Sequence, residues 1–180
     1  MIYSYAEGVE LFKSKYNLKK AVEQGKIYQL EKGIYSDKKY IPENVIISSK
    51  YSQAIFTLNS AFYYYNLTDV IPERYYLATD RNAAKIPDKR VVQIFEKSNL
   101  LMLGATTMEV NGGIINIYNK ERMLVELLRH KSKLPFDYYK EVLLNFRDIV
   151  YDLDIRLVQD YACEVPKTSK IMETLQLEVL

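Results

Sequence analysis

The sequence predicts an α+β fold, with a small N-terminal unit of helices and a strand pair followed by a larger domain of helices packed on a small, largely antiparallel sheet. Within residues 15–36, a short basic helix with one apolar face runs directly into two short strands joined at a glycine. Strand patterns follow between residues 54 and 118, and apolar side chains then recur at helical spacing. We therefore expect two domains, residues 1–40 and residues 41–180.

The first predicted helix covers residues 5–13. Ser4 and Glu7 have the spacing of a capping box, in which each side chain bonds a backbone N–H at the start of the helix. Only one or two residues separate this helix from the next. Such a tight connection is typical of a helix-turn-helix.

The second predicted helix covers residues 14–25. Leu18, Ala21 and Val22 lie at i, i+3 and i+4, so they form one apolar stripe and leave the lysines outside it. Ser14 is suited to cap the first turn, and Gly25 is suited to the left-handed position that ends a helix.

Two short strands complete the N-terminal unit. Residues 27–30 and 34–35 predict a strand and its return, and Gly33 supplies the positive φ that the turn requires. A basic helix followed by such a ribbon has the local order of a winged helix-turn-helix. A complete unit usually has a further helix ahead of these two, and the residues before Ser4 are too few to form it, so we expect a truncated winged helix.

An exposed helix with lysines and an asparagine is suited to DNA. Ammonium groups neutralise phosphates, and an amide can pair with an adenine edge in the major groove. The net charge of the chain is only +2, but residues 1–50 carry nine lysines against six acidic residues. The alternative interpretation is that these lysines form only a solvated helix face.

The larger domain is predicted from further strand and helix patterns. The NGG sequence at 111–113 is a strong hairpin signal between two strands, and Pro42 and Pro166 are suited to the first turns of helices. The predicted strands are 54–57, 75–79, 91–95, 106–110 and 114–118, and the predicted helices are 42–51, 59–65, 123–128, 138–149, 153–161 and 166–177.

Composition indicates an ordinary globular protein. Hydrophobic residues make up 48% and charged residues 27%, which allows a sizeable core. No stretch approaches the roughly 18 consecutive apolar residues of a membrane span, and the start lacks the pattern of a signal peptide. One cysteine cannot form an internal disulfide. We expect a cytoplasmic protein.

The chain shows no strong catalytic or metal-binding pattern. His130 is the only histidine and follows a helix, where a cation complements the carbonyl dipoles. Cys163 has no second cysteine or neighbouring histidine and is interpreted as a small apolar residue. Asp148, Asp152 and Asp154 are interpreted as ending one helix and capping the next. We therefore expect no enzyme, no cofactor and no metal.

Three segments together resemble one known family. They are KKAVEQGKIYQLEKGIYSD at 19–37, AIFTLNSAFYYYNLTDVIPERYYLAT at 54–79, and GIINIYNKERMLVELLRHK at 113–131. In sequence, order and spacing they resemble the AbiEi family of bacterial antitoxins, which are transcriptional regulators of abortive-infection, type IV toxin-antitoxin systems. The likeness covers most of the chain.

The resemblance implies a DNA-binding transcriptional autorepressor whose winged helix binds operator repeats. Because winged-helix repressors on inverted repeats tend to act as paired units, a homodimer on DNA is one expectation. It also implies that the C-terminal domain is an antitoxin against a nucleotidyltransferase-type toxin encoded beside it, without a necessarily stable complex. On this sequence, the DNA-binding residues implied are Lys15, Tyr16, Asn17, Lys19 and Lys20, with Lys32 near a phosphate.

Glu121 and Arg122 match a Glu-Arg-x-Leu-Val helix of the family, which makes them candidates for the antitoxin surface. The alternative is structural. After Asn119 as N-cap, they are a first-turn acid and an ion-pairing arginine.

Two other functions remain as alternatives. One is a protein-interaction module that uses the incomplete winged helix as a docking surface, without binding DNA. The other is a nuclease that uses Asp88 and the pair Glu96 and Lys97. Adjacent residues on a strand point to opposite faces, which disfavours the nuclease.

Overall fold

The computed structural model describes residues 1–180 and shows a mixed helix-and-sheet protein. The chain forms two compact units. The first consists of Met1–Ser52 together with Glu109–Ile115, and the second of Gln53–Met108 together with Asn116–Leu180. The expected boundary between residues 40 and 41 falls inside the first unit.

The first unit contains three helices and a three-stranded sheet. Its elements are β1 (Ile2–Ser4), α1 (Tyr5–Phe12), α2 (Lys15–Glu23), β2 (Tyr28–Glu31), β3 (Ile34–Ser36) and α3 (Glu43–Lys50). The strands pair antiparallel in the order β1-β3-β2. Five of these elements confirm the sequence-based expectations. Strand β1 was missed, because three residues are too few to show strand alternation.

The predicted caps of α1 and α2 are present. The Ser4 backbone N–H donates to the Glu7 carboxylate at 2.7 Å, and the Glu7 N–H donates to Ser4 Oγ at 3.3 Å. Ser14 Oγ accepts from the Asn17 N–H at 3.1 Å. Gly25 and Gly33 have φ of +68° and +83°, as the helix end and the turn require. The capping interactions therefore begin both helices at the residues that the sequence indicates.

The core of the first unit lies under α2. Leu18 and Ala21 of α2 are buried together with Ile27 and Tyr35, which belong to the following ribbon region. Tyr3, Val9, Phe12 and Val22 pack around this cluster. The apolar stripe of α2 is thus its inner face, and the lysine-bearing side is left at the surface.

The tip of a distant hairpin completes the first unit. Asn111 Nδ2 donates to Oδ1 of the buried Asn44 at 3.2 Å. Gly113 lies so close to α3 that an added Cβ would be 2.4 Å from Val45 Cγ1. A side chain at residue 113 would therefore collide with α3.

The strands of the second unit belong to a five-stranded sheet in the order β6-β5-β4-β8-β7. The strands are β4 (Ile55–Phe56), β5 (Tyr75–Asp80), β6 (Val91–Glu96), β7 (Ala105–Val110) and β8 (Gly113–Tyr118). The hairpin predicted between β7 and β8 is confirmed. Its turn residues Asn111 and Gly112 both have positive φ, 53° and 75°, which is the geometry of a tight two-residue turn.

The expectation of a largely antiparallel sheet is wrong, because this sheet is mixed. Strand β4 pairs antiparallel with β5 but parallel with β8, and β5 pairs parallel with β6 along its whole length. The segment 81–90 joins β5 to β6, and Gln93 fixes it by accepting from the Ile86 N–H at 2.8 Å and donating to the Ala84 carbonyl at 3.1 Å. Strand periodicity carries no information on direction, so the sequence could not reveal this arrangement.

The second unit also contains six α-helices. They are α4 (Leu58–Tyr64), α5 (Ser98–Leu101), α6 (Lys120–His130), α7 (Phe136–Asp148), α8 (Ile155–Glu164) and α9 (Thr168–Glu178). Helix α6 contacts α4, α7, α8 and α9. Its predicted apolar residues Met123, Leu124, Leu127 and Leu128 are all buried, so α6 is the central helix of the unit. None of the helices combines the length and the apolar character needed to cross a bilayer.

Candidate nucleic-acid interface

Helix α2 presents most of the predicted DNA-binding residues to solvent. Lys15, Tyr16, Lys19 and Lys20 are exposed, and Tyr16 retains 72% of its accessible surface. The opposite face of the helix is held in the core by Leu18 and Ala21. The burial of that stripe fixes which way the lysines point.

The amide of Asn17 is held in a defined position. Its Nδ2 donates to the Phe12 carbonyl at 3.1 Å, across the turn between α1 and α2. An asparagine amide has two N–H groups and a carbonyl oxygen, so one donor and the acceptor remain for another partner. Asn17 is exposed. The turn therefore orients the amide of an exposed side chain.

Of the three lysines on α2, only Lys19 has an acidic side chain nearby. Lys19 Nζ lies 3.9 Å from the Glu23 carboxylate, and both side chains are more than half exposed at 80% and 63%. Such a surface pair contributes only about 0.3–0.5 kcal/mol, so it does not hold Lys19 back from another anion. Lys15 and Lys20 form no ion pair. The surface of α2 is therefore cationic.

The turn between β2 and β3 adds one exposed cation. Lys32 is exposed, whereas the neighbouring Glu31 carboxylate accepts from Lys50 Nζ at 3.0 Å. The ion pair with Lys50 neutralises the acidic residue of the turn. Lys32 is thus left as the free charge at the tip of the ribbon.

Sequence reasoning missed two further lysines. A groove of about 410 Å³ runs beside α2, and its polar lining consists of Lys13, Asn17, Lys20, Gln24 and Lys26. Lys13 occupies a left-handed position with φ of 63° at the end of α1. Lys13 and Lys26 lie just outside α2, one before it and one after it, so the helical periodicity of α2 gave no signal for them.

Arg122 is completely buried, so it is not part of an exposed antitoxin surface. Its Nε donates to Glu126 Oε1 at 2.8 Å, and its guanidinium lies 4.9 Å from the centre of the Tyr118 ring. Nη1 also points to the carbonyls of Leu100 and Leu103, at 3.4 and 3.3 Å. The structural alternative therefore describes Arg122 correctly. The ion pair of Arg122 was expected from the sequence but its complete burial was not, because charged residues are seldom fully buried.

Glu121 is partly exposed and helps to position another helix. Its carboxylate accepts from the Asp154 backbone N–H at 3.3 Å, while Asp154 itself caps α8 by accepting from the Leu157 N–H at 3.1 Å. The predicted cap role of Asp154 is thereby confirmed. Asn119 Oδ1 accepts from the Arg122 N–H at 2.9 Å, which confirms the predicted N-cap of α6.

Arg122 belongs to a buried ionic network within the second unit. Glu126 also pairs with Arg129 at 2.7 Å, and its carboxylate lies 3.2 Å from His130 Nδ1. Arg129 pairs in addition with the carboxylate of the buried Glu96. Burial alone would raise the pKa of Glu126, but the hydrogen bond with His130 and the charges of both arginines lower it to about 2. Glu126 therefore stays ionised at neutral pH.

The side chains that could bind a metal ion are dispersed over the structure. No three His, Cys, Asp or Glu side chains are close enough together to share a metal ion. Glu96 is buried and Lys97 is exposed, as expected for adjacent residues at the end of a strand.

Comparison with known proteins yields a likeness in fold. No protein-family model and no curated protein matches the sequence. The fold is similar to the crystal structure of the RV2827C protein from Mycobacterium tuberculosis, with a TM-score of 0.64 and 14% sequence identity over 98% of this chain and 71% of that chain. At this identity the likeness concerns the fold alone.

Proposed function

We propose that the first unit is a winged helix-turn-helix that binds double-stranded DNA, and that the protein is a transcriptional autorepressor and antitoxin resembling the AbiEi family. In this proposal α2 is the recognition helix and the β2–β3 ribbon is the wing. The main supporting observation is that α2 has one buried apolar face and one exposed cationic face. Leu18 and Ala21 are in the core, while Lys15, Lys19 and Lys20 are at the surface.

The dimensions and polarity of α2 support DNA as the partner. An α-helix fits the major groove, where an amide can read adenine and ammonium groups can contact the flanking phosphates. The bond from Asn17 to the Phe12 carbonyl reduces the freedom that the amide would lose on binding. Lys32 at the ribbon tip is suited to a phosphate beyond the groove.

Salt dependence tests this assignment of the DNA surface. We expect a duplex from the upstream region of the gene to bind, and the double variant Lys19→Ala/Lys20→Ala to reduce the slope of log affinity against log salt by about two, because each phosphate contact contributes about 0.9. Fluorescence anisotropy over a salt series measures the slope.

The matched control removes two exposed lysines from the second unit, in the variant Lys85→Ala/Lys89→Ala, and thus produces the same change in net charge. We expect its slope to equal that of the unchanged protein. If the Lys19/Lys20 variant also keeps the original slope, α2 is not the DNA-binding surface.

The proposed antitoxin activity is supported by the resemblance of residues 54–79 and 113–131, which lie mainly in the second unit. Co-expression with a nucleotidyltransferase encoded next to this gene tests it. We expect the full chain to restore growth and the Lys19→Ala/Lys20→Ala variant to restore it equally, because its changes lie in the other unit. Continued growth arrest with a folded, expressed chain would contradict the antitoxin role.

A protein-docking role for the first unit is the alternative. It is favoured by exposed apolar surface beside the lysines, since Tyr5, Leu11 and Tyr16 retain 43%, 54% and 72% of their accessible surface. Failure to bind the upstream duplex, together with a partner chain that co-purifies only when Leu11 and Tyr16 are unchanged, would support docking instead of DNA binding.

A further inference from the structure

The second unit contains a cavity that the proposed DNA and antitoxin roles do not use. Its volume is about 750 Å³, within the usual range for small-molecule sites. The end of β6, the start of α4 and the segments that follow α6 and α8 form its walls. The cavity is therefore large enough for a ligand of cofactor size.

Cations dominate the charged lining of this cavity. The lining has four cationic side chains and one carboxylate. The carboxylate is that of Glu96, and the cations are Lys97, Arg129, Lys133 and Lys167. Glu96 and Glu126 already balance the charge of Arg129. The three lysines form no ion pair, and Lys167 Nζ is held near Arg129 by the Arg129 carbonyl at 3.5 Å. The excess positive charge therefore comes from these lysines.

The remaining lining is largely apolar and includes aromatic rings. Ile94, Leu100 and Leu134 lie beside Tyr76 and Phe95. Phe95 keeps 50% of its surface exposed although it is on the edge strand β6 of the sheet. An exposed ring next to lysines offers a stacking surface for a flat group that carries negative charge.

Two buried polar atoms at the cavity wall have no partner. Asn59 Oδ1 and Arg129 Nε are inaccessible to solvent and make no hydrogen bond, and the Arg129 side chain is only 10% exposed. Buried polar atoms are normally bonded, so these two mark a place where a partner is missing. Next to Asn59, the buried Leu58 has a φ of 42°, a strained conformation for a leucine. Such strain is concentrated at functional sites.

We propose that this cavity binds a nucleotide, with the phosphates held by Lys97, Lys133 and Lys167 and the base stacked near Phe95. Lysines bind phosphate as point charges, and an aromatic face accepts any base. All residues that line this site lie in the second unit.

Calorimetric titration of the full chain with ATP, adenosine and inorganic tripolyphosphate tests the proposal. We expect saturable binding of ATP that weakens with salt, and weaker binding of the other two compounds, because each lacks one half of the interaction. The absence of saturable ATP binding would overturn the proposal. Equal affinity for ATP and tripolyphosphate would overturn the assignment of a base site.

Variants separate the two halves of the site. The variant Lys97→Ala/Lys133→Ala/Lys167→Ala should weaken ATP binding by about tenfold or more, because three charge-assisted contacts are lost. The matched control Lys85→Ala/Lys89→Ala/Lys140→Ala should bind ATP normally. Phe95→Ala should weaken ATP and leave tripolyphosphate unchanged. Equal losses in the two lysine variants would show that binding is general charge attraction and would contradict the site.

Discussion

At the scale of single residues, Arg122 and Glu126 show why a charged residue can lie in a core. Their side chains are 0% and 2% exposed, and each charge meets its opposite within 2.8 Å. Removing one partner from such a pair leaves a buried charge uncompensated, which typically costs about 3–5 kcal/mol. The pattern Glu-Arg-x-Leu-Val in α6 is therefore explained by packing, with Glu121 turned toward the cap of α8.

Glu126 makes the stability of the second unit depend on pH, with a loss of stability in acid. Its pKa is about 2 in the folded chain and has an ordinary value of 4.5, so folding favours the ionised form. The stabilisation is complete above pH 4.5 and is lost as the pH falls from 4.5 toward 2. The whole contribution is on the order of 3 kcal/mol. We expect urea unfolding to show the upper part of this loss between pH 5 and pH 3, with the rest following below pH 3.

The variant Glu126→Gln is the comparison for that experiment. It lacks the titrating group, so its free energy of unfolding should fall less steeply over the same pH range. Its stability starts lower, because Arg122 and Arg129 each lose the ion pair with this carboxylate. A pH dependence as steep as that of the unchanged protein would show that other carboxylates cause the acid sensitivity.

At the scale of elements, the position and length of α2 are set by its two ends and by its apolar face. Ser14 starts the helix, Gly25 follows its end, and Leu18 and Ala21 attach it to the core. All four features were predicted from the sequence, because caps and helical periodicity are local signals. The exposure of Lys15, Lys19 and Lys20 follows from them, so the candidate DNA surface of α2 was also predictable.

The cap of α2 gives a prediction for its stability. Ser14→Ala should lower the free energy of unfolding by about 1 kcal/mol, because the Asn17 N–H loses its acceptor. Hydrogen exchange should then show faster exchange of the Asn17 amide. Ser14→Asp should retain most of the stability, since aspartate is an equally good cap.

Ser169→Ala is a control for the loss of a hydroxyl, because Ser169 is exposed and lies inside α9. It should have little effect on stability. If Ser14→Ala and Ser169→Ala change the free energy of unfolding equally, the hydroxyl of Ser14 does not act as a cap in solution.

At the scale of the whole molecule, local signals were sufficient for most helices and strands but not for their assembly. Residues 75–80 and 91–96 were correctly predicted as strands, yet their parallel pairing depends on the path of residues 81–90. The buried network of Arg122, Glu126 and Arg129 joins residues of α6 to Glu96 on β6. Contacts between distant residues of this kind are not encoded in periodicity.

The cavity in the second unit also depends on contacts between residues that are distant in the sequence, and it was therefore not predicted. Asn59, Lys97, Lys133 and Lys167 are separated along the chain, and each taken alone is an ordinary polar residue. Only folding brings them to one cavity. The groove beside α2, in contrast, is lined only by residues of the continuous segment 11–26.

The hairpin tip described above determines how this polypeptide tolerates shortening. Glu109–Ile115 completes the first unit, although these residues follow Ser52 only after a long intervening stretch. A protease cut or an early stop codon after Ser52 would release a peptide that lacks the partner of Asn44 and the backbone that packs on Val45. A shorter polypeptide that keeps α2 would therefore need a substitute for the contacts that residues 109–115 provide.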